Sequence, residues 1–213
     1  MEIKNYKHLY TLALLIILTI IAYTWLLNSE YFDPFLKWSR QNIVLFYSVL
    51  LFLKIFGIVW PPLPGGLLTI GSIPIIGWKG AYGVDVIGSV IGSSIAFFIA
   101  KKWGYKFLHK IFDQVTIDKI KQIKIKPKHE IESVTVFRIF GGSIVEVVCY
   151  GAGILGIKYR NFLIGTILSH LIIGLPFYYL VNGIFGKENF LLNLVLMTVF
   201  VLSFFTLKNR YFE

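Results

Sequence analysis

Long apolar runs, broken at two places by proline and glycine, set the pattern of the chain. Tyr10 to Leu27 is 18 residues of nearly unbroken apolar sequence, close to the ~20 residues that cross a bilayer as a helix. Lys4 and Lys7 precede it and no small-residue cleavage site follows, so it reads as an uncleaved first span. Ile43 to Trp60 forms a second run, interrupted only by Lys54. Gly80 to Ala100, Phe162 to Val181 and Phe190 to Leu207 complete five expected spans.

Two further apolar stretches cannot be continuous helices. Pro61 to Trp78 carries Pro61, Pro62, Pro64 and Pro74 together with Gly65, Gly66, Gly71 and Gly77. Interior proline costs a helix about 3 kcal/mol and glycine about 1 kcal/mol. The stretch is nevertheless too apolar for an aqueous loop, and irregular backbone at membrane depth needs protein or a wet cavity around it. A re-entrant hairpin meets both conditions. Ser133 to Gly156 has the same character, with Gly141, Gly142, Gly151, Gly153 and Gly156 bracketing two short apolar arms.

The two stretches also rhyme. Ile75-Ile76-Gly77-Trp78-Lys79 matches Ile154-Leu155-Gly156-Ile157-Lys158, each just before a full span, and each stretch has a Gly-Gly pair upstream. Paired interrupted segments point to inverted repeats around a midplane site. Chance similarity in Gly- and Ile-rich sequence accounts for the rhyme equally well. The expected architecture is an all-α integral membrane protein of five spans and two re-entrant hairpins, arranged as an inverted repeat. Residues 1–42 hold the first span and a linker, 43–185 the core with hairpins at 61–78 and 133–156, and 186–213 the last span and tail.

Composition agrees with this layout: 56% of the 213 residues are hydrophobic, 15% are charged, and mean hydropathy is +0.73. Soluble domains carry roughly a quarter charged residues. The formal charge of +10 is concentrated. Nine cations lie between Lys101 and Lys128, and residues 101–132 carry a net +5 after four carboxylates are counted. Basic stretches beside spans are topology signals or anionic-lipid contacts, and no nucleic-acid motif accompanies this one. Within it, Phe107, Leu108, Ile111, Phe112 and Val115 fall at helical spacing, and Thr116 and Pro127 would start and stop a second short helix. An amphipathic connector lying along the membrane surface is one reading, and a solvated basic linker the other. With five spans the N-terminus and the basic loop fall on opposite sides, and the greater charge of the loop favours it inside.

Residues able to carry chemistry are few. Asp85 and Glu146 are the two carboxylates within apolar segments, where ionisable groups are expensive and functional by default. Asp85 is equally readable as a wetted structural residue. Arg138 could pair with Glu146 or Asp85, and its fork suits a phosphate. Lys54 could snorkel, contact a headgroup or pair with Asp85. His170 fits a packing role better than a proton relay. Gly88, Ser89, Gly92, Ser93, Ser94 and Ala96 make one span small enough to press closely on a neighbour. One cysteine, Cys149, and four scattered histidines give no metal-ligand spacing, and no nucleophile motif is present. No cofactor and no enzyme activity are expected.

Two ordered motifs carry a resemblance to a known family. The first is Pro62-Leu63-Pro64-Gly65-Gly66, followed by Gly71, Gly77 and Gly80, and then by Gly88-x3-Gly92-Ser93-x3-Phe97-Phe98-Ile99-Ala100-Lys101-Lys102-x-Gly104. The second is Phe137-Arg138, Tyr150-x2-Gly153-Ile154, Lys158-Tyr159-Arg160-Asn161-Phe162 and Gly174-Leu175-Pro176. Together, over residues 43–185, they resemble the DedA/VTT-domain family, also called the SNARE-associated Golgi protein family. The acidic residues of the DedA branch fall on Gly57 and Gly66, its Gly-Asp pair on Gly92-Ser93, its arginine on Lys101, and its second-hairpin prolines on Gly141 and Ile144. The pattern is therefore closer to the Golgi-type branch, and proton coupling through those carboxylates does not carry over.

The resemblance implies a lipid transporter or scramblase that moves phospholipid or lipid-linked headgroups between two facing hairpins. The substrate path would be Arg138, Glu146, Asp85 and Lys54. Pro62, Pro64, Gly65, Gly66, Gly141, Gly142 and Gly153 would shape the hairpins. Expected partners are membrane lipids, anionic headgroups among them, and further copies of the chain; nucleic acid is not expected. The expected location is integral to a membrane, multi-pass, and the plasma membrane if the source is prokaryotic. The alternative is a structural or assembly factor of the membrane without transport activity, which a sealed, dry groove would favour.

Overall fold

The computed structural model describes residues 29–60, 65–109, 112, 114–123, 125–140, 145–185, 191–193 and 195–199, most of them helical. The chain divides into two units, Met1–Leu45 and Phe46–Glu213. In the first, α1 (Phe32–Gln41) carries Asp33 in its first turn and Arg40 in its last, each complementing the helix dipole. The Asn42 side chain donates to the Trp38 carbonyl at 3.0 Å and closes that helix. α2 (Ile43–Val59) begins at the end of this unit and runs into the second.

The second unit continues with α3 (Gly65–Gly71), α4 (Ile73–Leu108), α5 (Gln114–Gln122), a 3-10 turn at Pro127–His129, α6 (Glu130–Phe140), α7 (Val145–Ile154) and α8 (Tyr159–Ser169). A π-helical segment, His170–Gly174, then leads into α9 (Leu175–Phe185). Among the described residues two helices are long and apolar enough to cross a membrane, Ile73–Leu108 and Tyr159–Ile184. α1 and α2 reach that length only when taken together across their break. The expected first span, Tyr10–Leu27, lies outside the described residues, and the expected fifth is described only at 191–193 and 195–199.

Burial is inverted relative to a water-soluble core. Along α4, Ile87, Ile91, Ile95 and Phe98 are exposed, whereas Asp85, Ser89 and Ser93 on the opposite face are buried. α2 repeats the pattern, with Val49, Phe52 and Phe56 outward and Lys54 inward. An apolar exterior around a polar interior is what lipid solvent selects, because uncompensated polar groups cost several kcal/mol there.

Among the described residues positive φ occurs at both glycines of the rhyme and at Gly104, which has φ 58° inside α4. α3 ends in a turn at Ser72, and Pro74 occupies the first turn of α4, where its missing N–H costs nothing. Gly77 then takes φ 72° and ψ 161°, a backbone region open only to glycine, and the long helix continues beyond it. Gly156, at the matching position after α7, takes φ 73°. The π segment has a local cause in Pro176, which lacks an N–H and cannot tolerate the regular helical carbonyl four residues earlier.

The interior packs around α4. Phe97 stacks on Phe162 of α8 with centroids 4.9 Å apart. Gly153 of α7 lies so close to the Phe97 carbonyl that a Cβ would collide with it. A second cluster gathers Ile73, Ala81, Tyr178 and Val181. The basic connector departs from its expected form. α4 ends at Leu108 and α5 begins at Gln114, so residues 105–115 do not make one helix. Thr116 lies inside α5 rather than before it, and Pro127 opens the 3-10 turn, since α5 has already ended at Gln122. Part of its apolar side is covered by protein: Leu108, Ile117 and Ile120 are fully buried in the cluster that holds Tyr150 of α7, whereas Val115 is exposed.

Candidate functional site

Four elements converge on Asp85. The carboxylate sits in the first half of α4 with its side chain 9% exposed, and its neighbours supply three partners. Lys54 Nζ of α2 lies 2.6 Å from Oδ1, with both side chains only 9% exposed. His170 Nδ1, at the start of the π segment, is 3.3 Å from Oδ2. Thr69 of α3 lies 3.1 Å from Oδ1. The Thr69 hydroxyl has a single proton, which goes to Asp85 or to the Gly66 carbonyl at 2.9 Å, and it accepts from Tyr178 at 2.7 Å. α2, α3, α4 and the π-helical segment before α9 are thereby tied to one carboxylate. His170 Nε2 is buried without a hydrogen-bond partner among the described residues.

Lys54 therefore turns inward to pair instead of snorkelling to an interface. Its stem runs past Gly88, where a Cβ would collide with it, so the small residue on α4 makes the room that the pair needs. Gly65 brings α3 within van der Waals reach of the Lys54 backbone, an added Cβ lying 3.3 Å from its Cα and carbonyl oxygen.

A second polar centre surrounds Arg138, which is buried near the end of α6. Its Nε donates to Ser169 at 3.3 Å, and one terminal nitrogen donates to Ser93 at 3.2 Å and to the Cys149 sulfur at 3.2 Å. Ser169 gives its own proton back to the Thr166 carbonyl at 2.7 Å, which leaves its lone pair for the guanidinium. Arg138 makes no ion pair with Glu146 or Asp85 among the described residues. Asp85 is already engaged by Lys54, His170 and Thr69, and neutral hydroxyl and thiol groups hold the guanidinium.

All four residues expected on the substrate path, Lys54, Asp85, Arg138 and Glu146, line one partly open cavity of about 410 Å³. Gly66, Ser169, His170 and Tyr178 share the lining, so α2, α3, α4, α6, α7 and the run from α8 through the π segment to α9 contribute walls. That volume falls in the range of small-molecule sites. Of the hairpin-shaping residues, Gly66 lines the cavity, Gly65 and Gly153 make the close approaches already described, and Pro62, Pro64, Gly141 and Gly142 lie outside the described residues.

Sequence reasoning missed Thr69, Tyr178, Ser93 and Ser169 as site members, because hydroxyls are ordinary within spans. Glu130 was hidden among the charges of the basic stretch. It is buried and accepts from the Lys158 backbone N–H at 3.1 Å and from the Asn161 side chain at 2.8 Å, fastening the start of α8 to the start of α6.

The model of the VTT domain matches residues 61–183, which include both hairpins and most of the cavity wall. The chain belongs to the VTT-domain family. A member of this family with apolar helices of spanning length is an integral membrane protein. Among curated proteins, the chain is similar to "Uncharacterized protein MJ0201" of Methanocaldococcus jannaschii, with 27% identity over 154 residues that cover 69% of this chain and 89% of that one. No solved structure gives a significant match.

Proposed function

We propose that this VTT-domain protein is a multi-pass carrier that moves phospholipid or lipid-linked headgroups across the bilayer through the cavity between its two hairpins. The observation that carries the reading is the cavity itself: Arg138 and Glu146 from hairpin two and Lys54 and Asp85 from the helices flanking hairpin one, with Glu146 half-buried and the other three buried beneath an apolar exterior. A headgroup entering it would exchange water for fixed polar partners while its acyl chains stay in lipid, which lowers the cost of passage. A sealed groove would have favoured an assembly factor, whereas this one is partly open and charged. The carrier makes and breaks no covalent bond. An inverted repeat belongs to the same reading, supported by the matched glycines with φ 72° and 73°, and so do five spans, supported by the apolar runs of the sequence. So does kinship with the Golgi-type branch, supported by Gly57 and Gly66 where the DedA branch is acidic.

The test is a dithionite assay on the full chain in liposomes with fluorescent phospholipids. Wild type is expected to expose inner-leaflet probe, and Arg138→Ala to lose that activity while still reconstituting. Wild type indistinguishable from empty liposomes overturns energy-independent scrambling of those lipids. An active Arg138→Ala removes this cavity from the path.

A further inference from the structure

We propose that the cavity selects a zwitterionic headgroup, a phosphate diester that also carries a primary ammonium, over a net anion. This rests on the transport reading above and names its substrate class. The charges facing the cavity are Lys54 and Arg138 on one side of the balance and Asp85 and Glu146 on the other, which sum to zero with His170 neutral. Lys54 and Asp85 close on each other, and Thr69 and His170 take up the remaining contacts of the carboxylate. That pair offers nothing to a ligand without first breaking.

Arg138 and Glu146 remain, on opposite arms of hairpin two. Arg138 lies in the last turn of α6 and Glu146 in the first turn of α7, and no ion pair joins them. Arg138 is held by two hydroxyls and a thiol, none of which cancels its charge. Glu146 is half-buried, and no cation lies within ion-pair distance of it among the described residues. A phosphate bound to Arg138 would meet the Glu146 carboxylate across the same small cavity. For a net anion that contact is repulsive, and like-charge juxtaposition is how sites reject wrong partners. For a headgroup with an ammonium beyond its phosphate, the same carboxylate becomes the second anchor. A primary ammonium brings three N–H donors to Glu146, which a quaternary one lacks.

The experiment uses the full chain in liposomes and acyl-chain-labelled probes, so that the headgroup stays native. Phosphatidylethanolamine is compared with phosphatidylglycerol by dithionite quenching. Wild type is expected to move the ethanolamine lipid about tenfold faster than the glycerol lipid. Glu146→Gln is expected to bring the two rates together, and Glu146→Asp, which retains the charge, to keep the preference and show that the hairpin has folded. Equal wild-type rates, or a preference that survives Glu146→Gln, overturn the inference and leave the transport reading standing. Movement of neither lipid above empty liposomes overturns the transport reading itself, and the inference with it.

Discussion

Asp85→Asn is the substitution that probes the charge centre most directly. Asparagine keeps the shape of the side chain and can still accept from Thr69, but it leaves the Lys54 ammonium without its counter-charge. The 9% exposure of both side chains leaves the ammonium little solvent to replace that counter-charge. Removing one partner of a buried pair costs about 3–5 kcal/mol, because a charge stays behind in low dielectric. The companion is Lys54→Met/Asp85→Asn. Methionine is unbranched and fills the same channel past Gly88, and with both charges gone the source of the penalty is gone too. The double variant should therefore recover at least about 2 kcal/mol relative to Asp85→Asn alone. Reversible unfolding in mixed micelles, followed by circular dichroism for wild type, both single variants and the double, completes the cycle. A double variant whose loss equals the sum of the two single losses within about 0.5 kcal/mol refutes the reasoning. Lys54 would then be satisfied by something other than Asp85.

Gly153→Ala should destabilise by about 1–3 kcal/mol, since the added Cβ meets the Phe97 carbonyl, which is helix backbone and cannot step aside. The control is Gly71→Ala, where nothing lies within 4 Å; it should be neutral or stabilising by up to about 1 kcal/mol. Thermal unfolding of the two proteins in the same detergent decides, and equal midpoints would mean that α7 does not press on α4. Glu130→Ala should cost about 1–3 kcal/mol by stranding the Lys158 N–H and the Asn161 amide. Faster amide exchange confined to the first turn of α8 is the signature, and unchanged exchange there would refute the contact.

Much of the scaffold was legible because lipid solvent imposes a coarse code. Apolar runs long enough to span appear as α4 and as α8 with α9, and proline and glycine mark the breaks. The rhyme of Ile76-Gly77 with Leu155-Gly156 even located two positive-φ positions. Asp85, Glu146, Arg138 and Lys54 stood out by rarity alone, since charge is costly in apolar sequence. Their partners did not. Lys54 and Asp85 are 31 residues apart on different helices, and Arg138 is 45 residues from Ser93. No local period encodes such distances. The connector failed for a different reason. Helical spacing reveals that a face is apolar, but not whether lipid or protein covers it, and Leu108, Ile117 and Ile120 are covered by hairpin two.

Broken backbone and buried charge occur together here because one makes the other affordable. A helix that stops or bulges at membrane depth releases carbonyls, and each released carbonyl needs a donor. Side-chain hydroxyls add a donor at five carbonyls near the breaks, three of which also accept a backbone N–H: Gly66 from Thr69, Thr69 from Ser72, Val59 from Tyr150, Thr166 from Ser169, and His170 from Tyr82. Two of those hydroxyls then face the charges directly, Thr69 toward Asp85 and Ser169 toward Arg138. The same short side chains that seal the breaks thus solvate the ions, so neither function needs bulk water. Removing the Thr69 hydroxyl would take away the one proton that Asp85 and the Gly66 carbonyl compete for, and would leave Tyr178 without that acceptor. That shared dependence explains how a cavity of about 410 Å³ with four charged residues can sit inside an apolar helical shell.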